Sequence, residues 1–202
     1  MFVQVIQGNV SDAAAARARF ELWRAELAPG ADGWLGSTAG VTDDGRLVVL
    51  ARFDSEDAAR RNSDRPEQGA WWEETARLFT DEPTFLDSTD IEVDTAGDPD
   101  QAGFVQVMQG RSSDPERARE LMASDPTDWA DYRPDILGTL TAAHEGGAWT
   151  MAIYFTSEAE AREGERKEPP PETAAMMKEM DALSVGEPTF YDLRDPWLDA
   201  PS

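Results

Sequence analysis

A chain of 202 residues with 40% hydrophobic content and seven tryptophans carries enough apolar material for a folded core, as one large domain or two small ones. It has no cysteine, which excludes disulfides, thiolate nucleophiles, Cys-ligated zinc and iron–sulfur clusters together. The formal net charge of −23 is even along the chain, with 21 carboxylates against nine basic residues in 1–100 and 20 against nine in 101–202; such a general field makes nucleic acid and anionic membrane poor partners.

The first predicted element is FVQVIQG (2–8), a strand rich in β-branched residues. Ser11-Asp12 can cap a helix through AAAARARFELWRAELA, which Pro29-Gly30 ends. Residues 34–42 form a second strand. Thr42-Asp43-Asp44-Gly45 turns the chain into RLVVLARF (46–53), the third. Ser55-Glu56 opens a helical region that restarts near Arg65-Pro66-Glu67 and runs to Phe79, and EPTFLD (82–87) begins a fourth strand. After DTAGDPDQAG (94–103), small and acidic with Gly and Pro, the order begins again. FVQVMQG is followed by the helix SDPERARELMA, with Pro115 in its first turn, then by ILGTLTAAH, the turn EGG, AWTMAIYF, a helical pair broken at Pro169–Pro171, and PTFYDL. No apolar run reaches the ~20 residues that span a bilayer, and the N-terminus lacks a basic region ahead of an apolar stretch, so no membrane contact and a cytoplasmic address are expected.

The restart is a duplication. FVQVIQGNVSD (2–12) and FVQVMQGRSSD (104–114) agree at eight of eleven positions. At the same shift of 102, Gly36 falls on Gly138, Gly45 on Gly147 and Phe53 on Phe155; EPTFLD answers EPTFYD (187–192) at a shift of 105. The expected organisation is repeat 1 over 1–95, a linker over 96–103 and repeat 2 over 104–199. Each repeat reads β-α-β-β-α-β, the split βαβ or ferredoxin-like unit, so the fold class is α+β. In RLVVLARF and AWTMAIYF both alternating faces are largely apolar, whereas a sheet with one wet face would show polar residues on that side. The economical cover for the second face is the matching sheet of the other copy, giving a pseudo-twofold α/β barrel within one chain: an intramolecular pseudo-dimer, open to further oligomerisation.

Paired ferredoxin-like units of roughly a hundred residues each, in this element order, resemble the dimeric α/β-barrel superfamily, including the antibiotic-biosynthesis monooxygenase type. The resemblance implies a pocket between sheet and helices in each unit. It also implies cofactor-independent oxygenation of an aromatic or polycyclic substrate. Haem-degrading members of the superfamily place a histidine on the second helix; neither helix region here has one, so neither haem nor another cofactor is expected.

The densest polar and aromatic stretch is RRNSDRPEQGAWWEE (60–74). Adjacent helical residues point ~100° apart, so Trp71 and Trp72 cannot share one core slot. One reading is a helix break with Asn62 or Ser63 as cap and core tryptophan. The other is a pocket wall in which Asn62, Arg65 and Gln68, with Ser63 beside them, orient a polar or anionic ligand against an indole plate; a small aromatic or lipophilic molecule is the partner expected for the protein as a pocket protein. The second copy reads EGERKEPPPETAAMM (163–177), without the Asn, the Gln and both Trp. A pocket in this region would belong to repeat 1, with repeat 2 as scaffold. Arg52, on an otherwise apolar face, could bind a carboxylate or reach the rim. Gln4, Gln7, Gln106 and Gln109 recur in the first strands and need partners if buried. His144, the single histidine, precedes a turn and is a weak candidate base; a lone histidine without cysteine gives no zinc site. Three functions fit: an oxygenase, a non-catalytic binder, or a structural barrel filled by side chains.

Overall fold

The computed structural model describes residues Met1–Pro201 and divides into two compact units. The first repeat runs β1 (Phe2–Asn9), α1 (Ala13–Leu22), β2 (Trp34–Val41), β3 (Arg46–Phe53), α2 (Glu56–Ser63), α3 (Pro66–Ala76) and β4 (Thr84–Ser88), followed by β5 (Asp90–Thr95). The second runs β6 (Phe104–Arg111), α4 (Pro115–Ala123), a short α5 (Trp129–Tyr132), β7 (Ile136–Ala143), β8 (Ala148–Phe155), α6 (Glu158–Gly164), α7 (Pro171–Leu183) and β9 (Thr189–Leu193), followed by β10 (Trp197–Asp199).

Local signals repeat with the sequence. The Asp12 carboxylate accepts from the Ala15 N–H at 2.9 Å to start α1, and Asp114 accepts from the Arg117 N–H at 3.0 Å to start α4. Ser55 caps α2 through the Ala58 N–H, and Ser157 caps α6 through the Glu160 N–H. After α1 the chain widens into a π turn over Trp23–Leu27 and tightens into a 3-10 turn over Ala28–Gly30. Strand registers match as well: Phe2 faces Phe53 and Val5 faces Leu50 in one copy, Phe104 faces Phe155 and Val107 faces Ala152 in the other.

Each repeat forms the expected antiparallel four-strand core, and each sheet gains a fifth strand. The orders are β10-β2-β3-β1-β4 and β5-β7-β8-β6-β9. The compact units therefore differ from the repeats at their ends. Residues 1–91 are joined by the last segment from Asp192, while the other unit spans Glu92–Tyr191. A glycine at a bulge makes room for each added strand. The β2/β3 register shifts between Trp34 and Gly36, and the β7/β8 register between Ile136 and Gly138. A Cβ on Gly36 would lie 2.7 Å from the Asp199 carbonyl oxygen, and one on Gly138 would lie 2.8 Å from that of Asp94.

Among the described residues hydrogen-bonded closure into a barrel does not occur. The ladders make two open five-stranded sheets, each ending in two edge strands, so the barrel expectation is corrected to a tandem pair of ferredoxin-like sheets. A five-residue strand at one edge and a three- to six-residue added strand at the other leave no ladder to complete a ring. The expectation of two covered faces holds for β3: Leu47 and Val49 on one side and Val48 and Leu50 on the other are all buried. In β8 the pattern is uneven. Thr150, Ala152 and Tyr154 are buried, whereas Met151 and Ile153, on the helix side, are half-buried.

Candidate ligand cavity

In the first unit the helix side of the sheet is filled with aromatic rings. Phe2, Trp23, Leu27, Trp34, Phe53 and Trp71 form one buried cluster, with Phe20 and Trp72 packed against it. Ring centroids are 5.0 Å apart for Trp23 and Trp34, 5.5 Å for Phe20 and Trp71, and 5.5 Å for Phe20 and Trp197 of β10. Three indole N–H groups are paired: Trp23 with Gln68 Oε1 at 2.6 Å, Trp71 with the Arg19 carbonyl at 2.8 Å and Trp34 with Ser37 Oγ at 3.0 Å.

The residues singled out in 60–74 meet in this layer. Arg65 donates from Nη1 to Asn62 Oδ1 at 2.9 Å and to the Leu27 carbonyl at 3.1 Å, and from Nε to Glu67 at 2.9 Å. The backbone N–H of Glu67, followed by Arg65, holds the Glu67 carboxyl below its usual range. Ser63 donates back to the Ala59 carbonyl at 3.1 Å. Trp72 is half-buried against Phe79 and Phe85, at 6.0 and 5.4 Å. Asn62, Arg65, Gln68 and Trp71 thus stand together and tie α1, α2 and α3 to one another. Arg52 lies apart from them, with its guanidinium across Gly36. Gln4 donates to Asp87 at 2.9 Å and Gln109 to Thr150 at 3.1 Å, while Gln7 Oε1 is buried without a partner. His144 sits half-buried at the end of β7, its Nε2 3.0 Å from the Thr150 hydroxyl. Thr150 points away from the helix side of β8.

The matching layer of the second unit is hollow. Between the β7–β8 face and helices α4 and α7 lies a cavity of about 650 Å3, within the range of about 300–1,000 Å3 typical of small-molecule sites. Ile136, Thr139, Thr141, Met151 and Ile153 make the floor; Met122 and Asp125 flank it beside Trp129 of α5; Met176, Met177 and Met180 of α7 face them; Glu92, Val93 and Asp94 of β5 form an edge. Five of the seven methionines line this one space. Thioether side chains are polarizable and adopt many rotamers, so such a wall adapts to its occupant. Met122, Trp129, Met177 and Val93 are 36–52% exposed, so apolar side chains stand at the mouth.

The two layers align residue by residue. At a shift of 102, Phe20 falls on Met122, Trp23 on Asp125 and Trp34 on Ile136; at 105, Trp71 and Trp72 fall on Met176 and Met177, and Trp197 on Glu92. Six aromatic side chains of the filled unit are replaced by smaller or charged ones, and the cavity occupies their place. Asp125 was not visible as a candidate from sequence. Its carboxylate accepts from Thr127 N–H and Oγ at 3.2 and 2.8 Å, from Thr173 Oγ at 3.4 Å and from Trp129 Nε1 at 2.8 Å. It is the half-buried carboxylate of the lining; Glu92, Asp94 and Asp181 are exposed at the rim, and Glu92 pairs with Arg119 at 2.8 Å. Beneath the cavity Phe104, Phe155 and Ala161 close the core, and the buried Arg133–Asp135 pair, joined at 2.9 and 2.7 Å, lies against Phe155. Asp135 raises the Arg133 guanidinium further above its ordinary value.

No protein-family model and no curated protein matches the chain. Solved structures do. A protein from Lactobacillus acidophilus NCFM, provisionally designated a monooxygenase, superposes with a TM-score of 0.74 at 11% identity, over 98% of both chains. An anthrone oxidase-like protein gives 0.70 at 10% identity, over 98% of this chain and 92% of that one. A ferredoxin-fold protein of Listeria monocytogenes 4b F2365, related to antibiotic biosynthesis monooxygenases, gives 0.50 at 10% identity over 100% and 95%. These likenesses run the full length, so the fold is that of tandem ferredoxin-like proteins. Among the described residues no helix is long and apolar enough to cross a membrane.

Proposed function

We propose that this chain is a small-molecule pocket protein that holds one largely apolar, polycyclic ligand in the cavity of its second repeat and exposes it to dioxygen as a cofactor-independent oxygenase. The observation that carries this reading is the cavity itself, which opens where the first repeat is packed solid. The monooxygenase designations of the full-length structural neighbours favour the oxygenase form, and the anthrone oxidase-like neighbour suggests anthrone as a first substrate to try. Such chemistry asks the protein to position an electron-rich ring, exclude bulk water and take one proton. The methionine and isoleucine walls would do the first two. Asp125 is the carboxylate placed to accept the proton.

The balanced reaction is anthrone plus dioxygen to anthraquinone plus water. Oxygen uptake and anthraquinone formation above the buffer rate are the expected result, lost on filling the cavity with Met177→Trp and strongly reduced by Asp125→Asn. A second reading, carriage without catalysis, is favoured by one observation: both Asp125 oxygens already accept hydrogen bonds, which leaves little capacity to act as a base. Saturable binding of anthrone with no increase in oxidation rate would select carriage. Absence of binding would sink both.

A further inference from the structure

We infer that this cavity prefers a hydrophobic cation, an aromatic amine or a similar ammonium compound, over a neutral ligand of the same shape and holds off anions, a preference that fits the carriage reading better than formation of an anthrone anion beside Asp125. The inference rests on the reading of the second repeat's cavity as the ligand site and names the ligand class. Four carboxylates line the space and no Lys, Arg or His does. Arg119 answers Glu92. Asp94, Asp125 and Asp181 make no ion pair among the described residues, and the donors to Asp125 are two threonines and an indole, all neutral. Their charge is therefore uncompensated at the cavity. Beside apolar walls a charge acts through a lower effective dielectric than in water, so a cation is drawn in and an anion is held off. The net charge of −23 adds a long-range field of the same sign.

The walls suit a cation in a second way. The Trp129 indole stands at the mouth, where its face can receive an ammonium group. The aligned repeat supplies a control. Simple loosening of an aromatic layer would leave smaller apolar residues behind, as at Met122, Ile136, Met176 and Met177. At two positions it does not: Asp125 stands in place of Trp23 and Glu92 in place of Trp197.

Three ligands of nearly one shape separate the possibilities: 9-(aminomethyl)anthracene, 9-anthracenemethanol and 9-anthracenecarboxylate, titrated into the full chain by calorimetry. The expected order is amine, then alcohol, then carboxylate. At low salt the amine binds at least about tenfold more tightly than the carboxylate, and about 0.5 M salt narrows the gap. Asp125→Asn with Asp181→Asn weakens the amine more than the alcohol, and binding of the alcohol reports that the variant is folded. Equal affinities, or a preferred carboxylate, overturn the charge assignment while leaving the cavity as a site. Failure of all three to bind overturns both.

Discussion

The two helix-side layers of this chain begin from one duplicated sequence and end in opposite states. In the first, six aromatic rings interlock and the polar side chains of the 62–68 segment turn to their neighbours, as in Arg65 on Asn62 and Gln68 on Trp23. In the second, the same positions carry methionine, isoleucine and carboxylate, and about 650 Å3 stays open. Packing that serves stability and space that serves a ligand compete for the same volume. A duplicated fold can assign one task to each copy.

The largest effect should come from emptying the filled layer. Trp71 is buried, touches Phe20, Trp23 and Trp72, and holds Arg19. Trp71→Ala should cost about 3–5 kcal/mol in denaturant unfolding. Its counterpart Met176→Ala, beside an open cavity, should cost under about 1 kcal/mol. Similar losses at both would break the contrast. Next comes the buried pair under the cavity. Arg133→Ala strands Asp135 and should cost about 3 kcal/mol, whereas replacing both residues with apolar ones should recover most of it.

A smaller effect sharpens the comparison from the other side. Ile136→Trp restores in the second layer the ring that Trp34 supplies in the first. It should abolish ligand binding in calorimetry while changing stability by less than about 1.5 kcal/mol. A large destabilisation with retained binding would mean that the ring cannot enter the space.

The smallest effect concerns β10. Burial pushes the Asp199 carboxyl up, against the opposing pull of Arg24 at 3.2 Å. A carboxyl raised on folding favours the folded state only while protonated. That advantage is complete below the unfolded value of about 3.9 and is lost as pH rises through the folded value. Asp199→Asn should therefore gain under about 1 kcal/mol at pH 7 and nothing near pH 3. A gain that grows on acidification would contradict the sign.

Much of this was legible in the sequence. RLVVLARF is β3 and AWTMAIYF is β8, residue for residue, because alternation and flanking turns mark strands well. The caps at Asp12 and Asp114 follow from one repeated dipeptide. The fifth strands were not legible. DIEVDT and WLD are short, acidic or isolated, and they become strands only because an edge of β7 or β2 is there to receive them. The cavity was hidden for a different reason. Polar and aromatic density in 60–74 draws attention to the first copy, whereas in the structure that density fills volume. The loss of Trp at 176 and 177 was visible, but a missing ring becomes a cavity only when nothing else moves in, and packing decides that.

The most direct test uses the methionines as reporters. With methyl-labelled methionine in the full chain, an added polycyclic amine should shift the Met122, Met151, Met176, Met177 and Met180 signals and leave Met1 and the Trp23 and Trp71 indole signals in place. Shifts at the Trp23 and Trp71 indoles with silent cavity methionines would place the ligand in the first repeat and contradict the account.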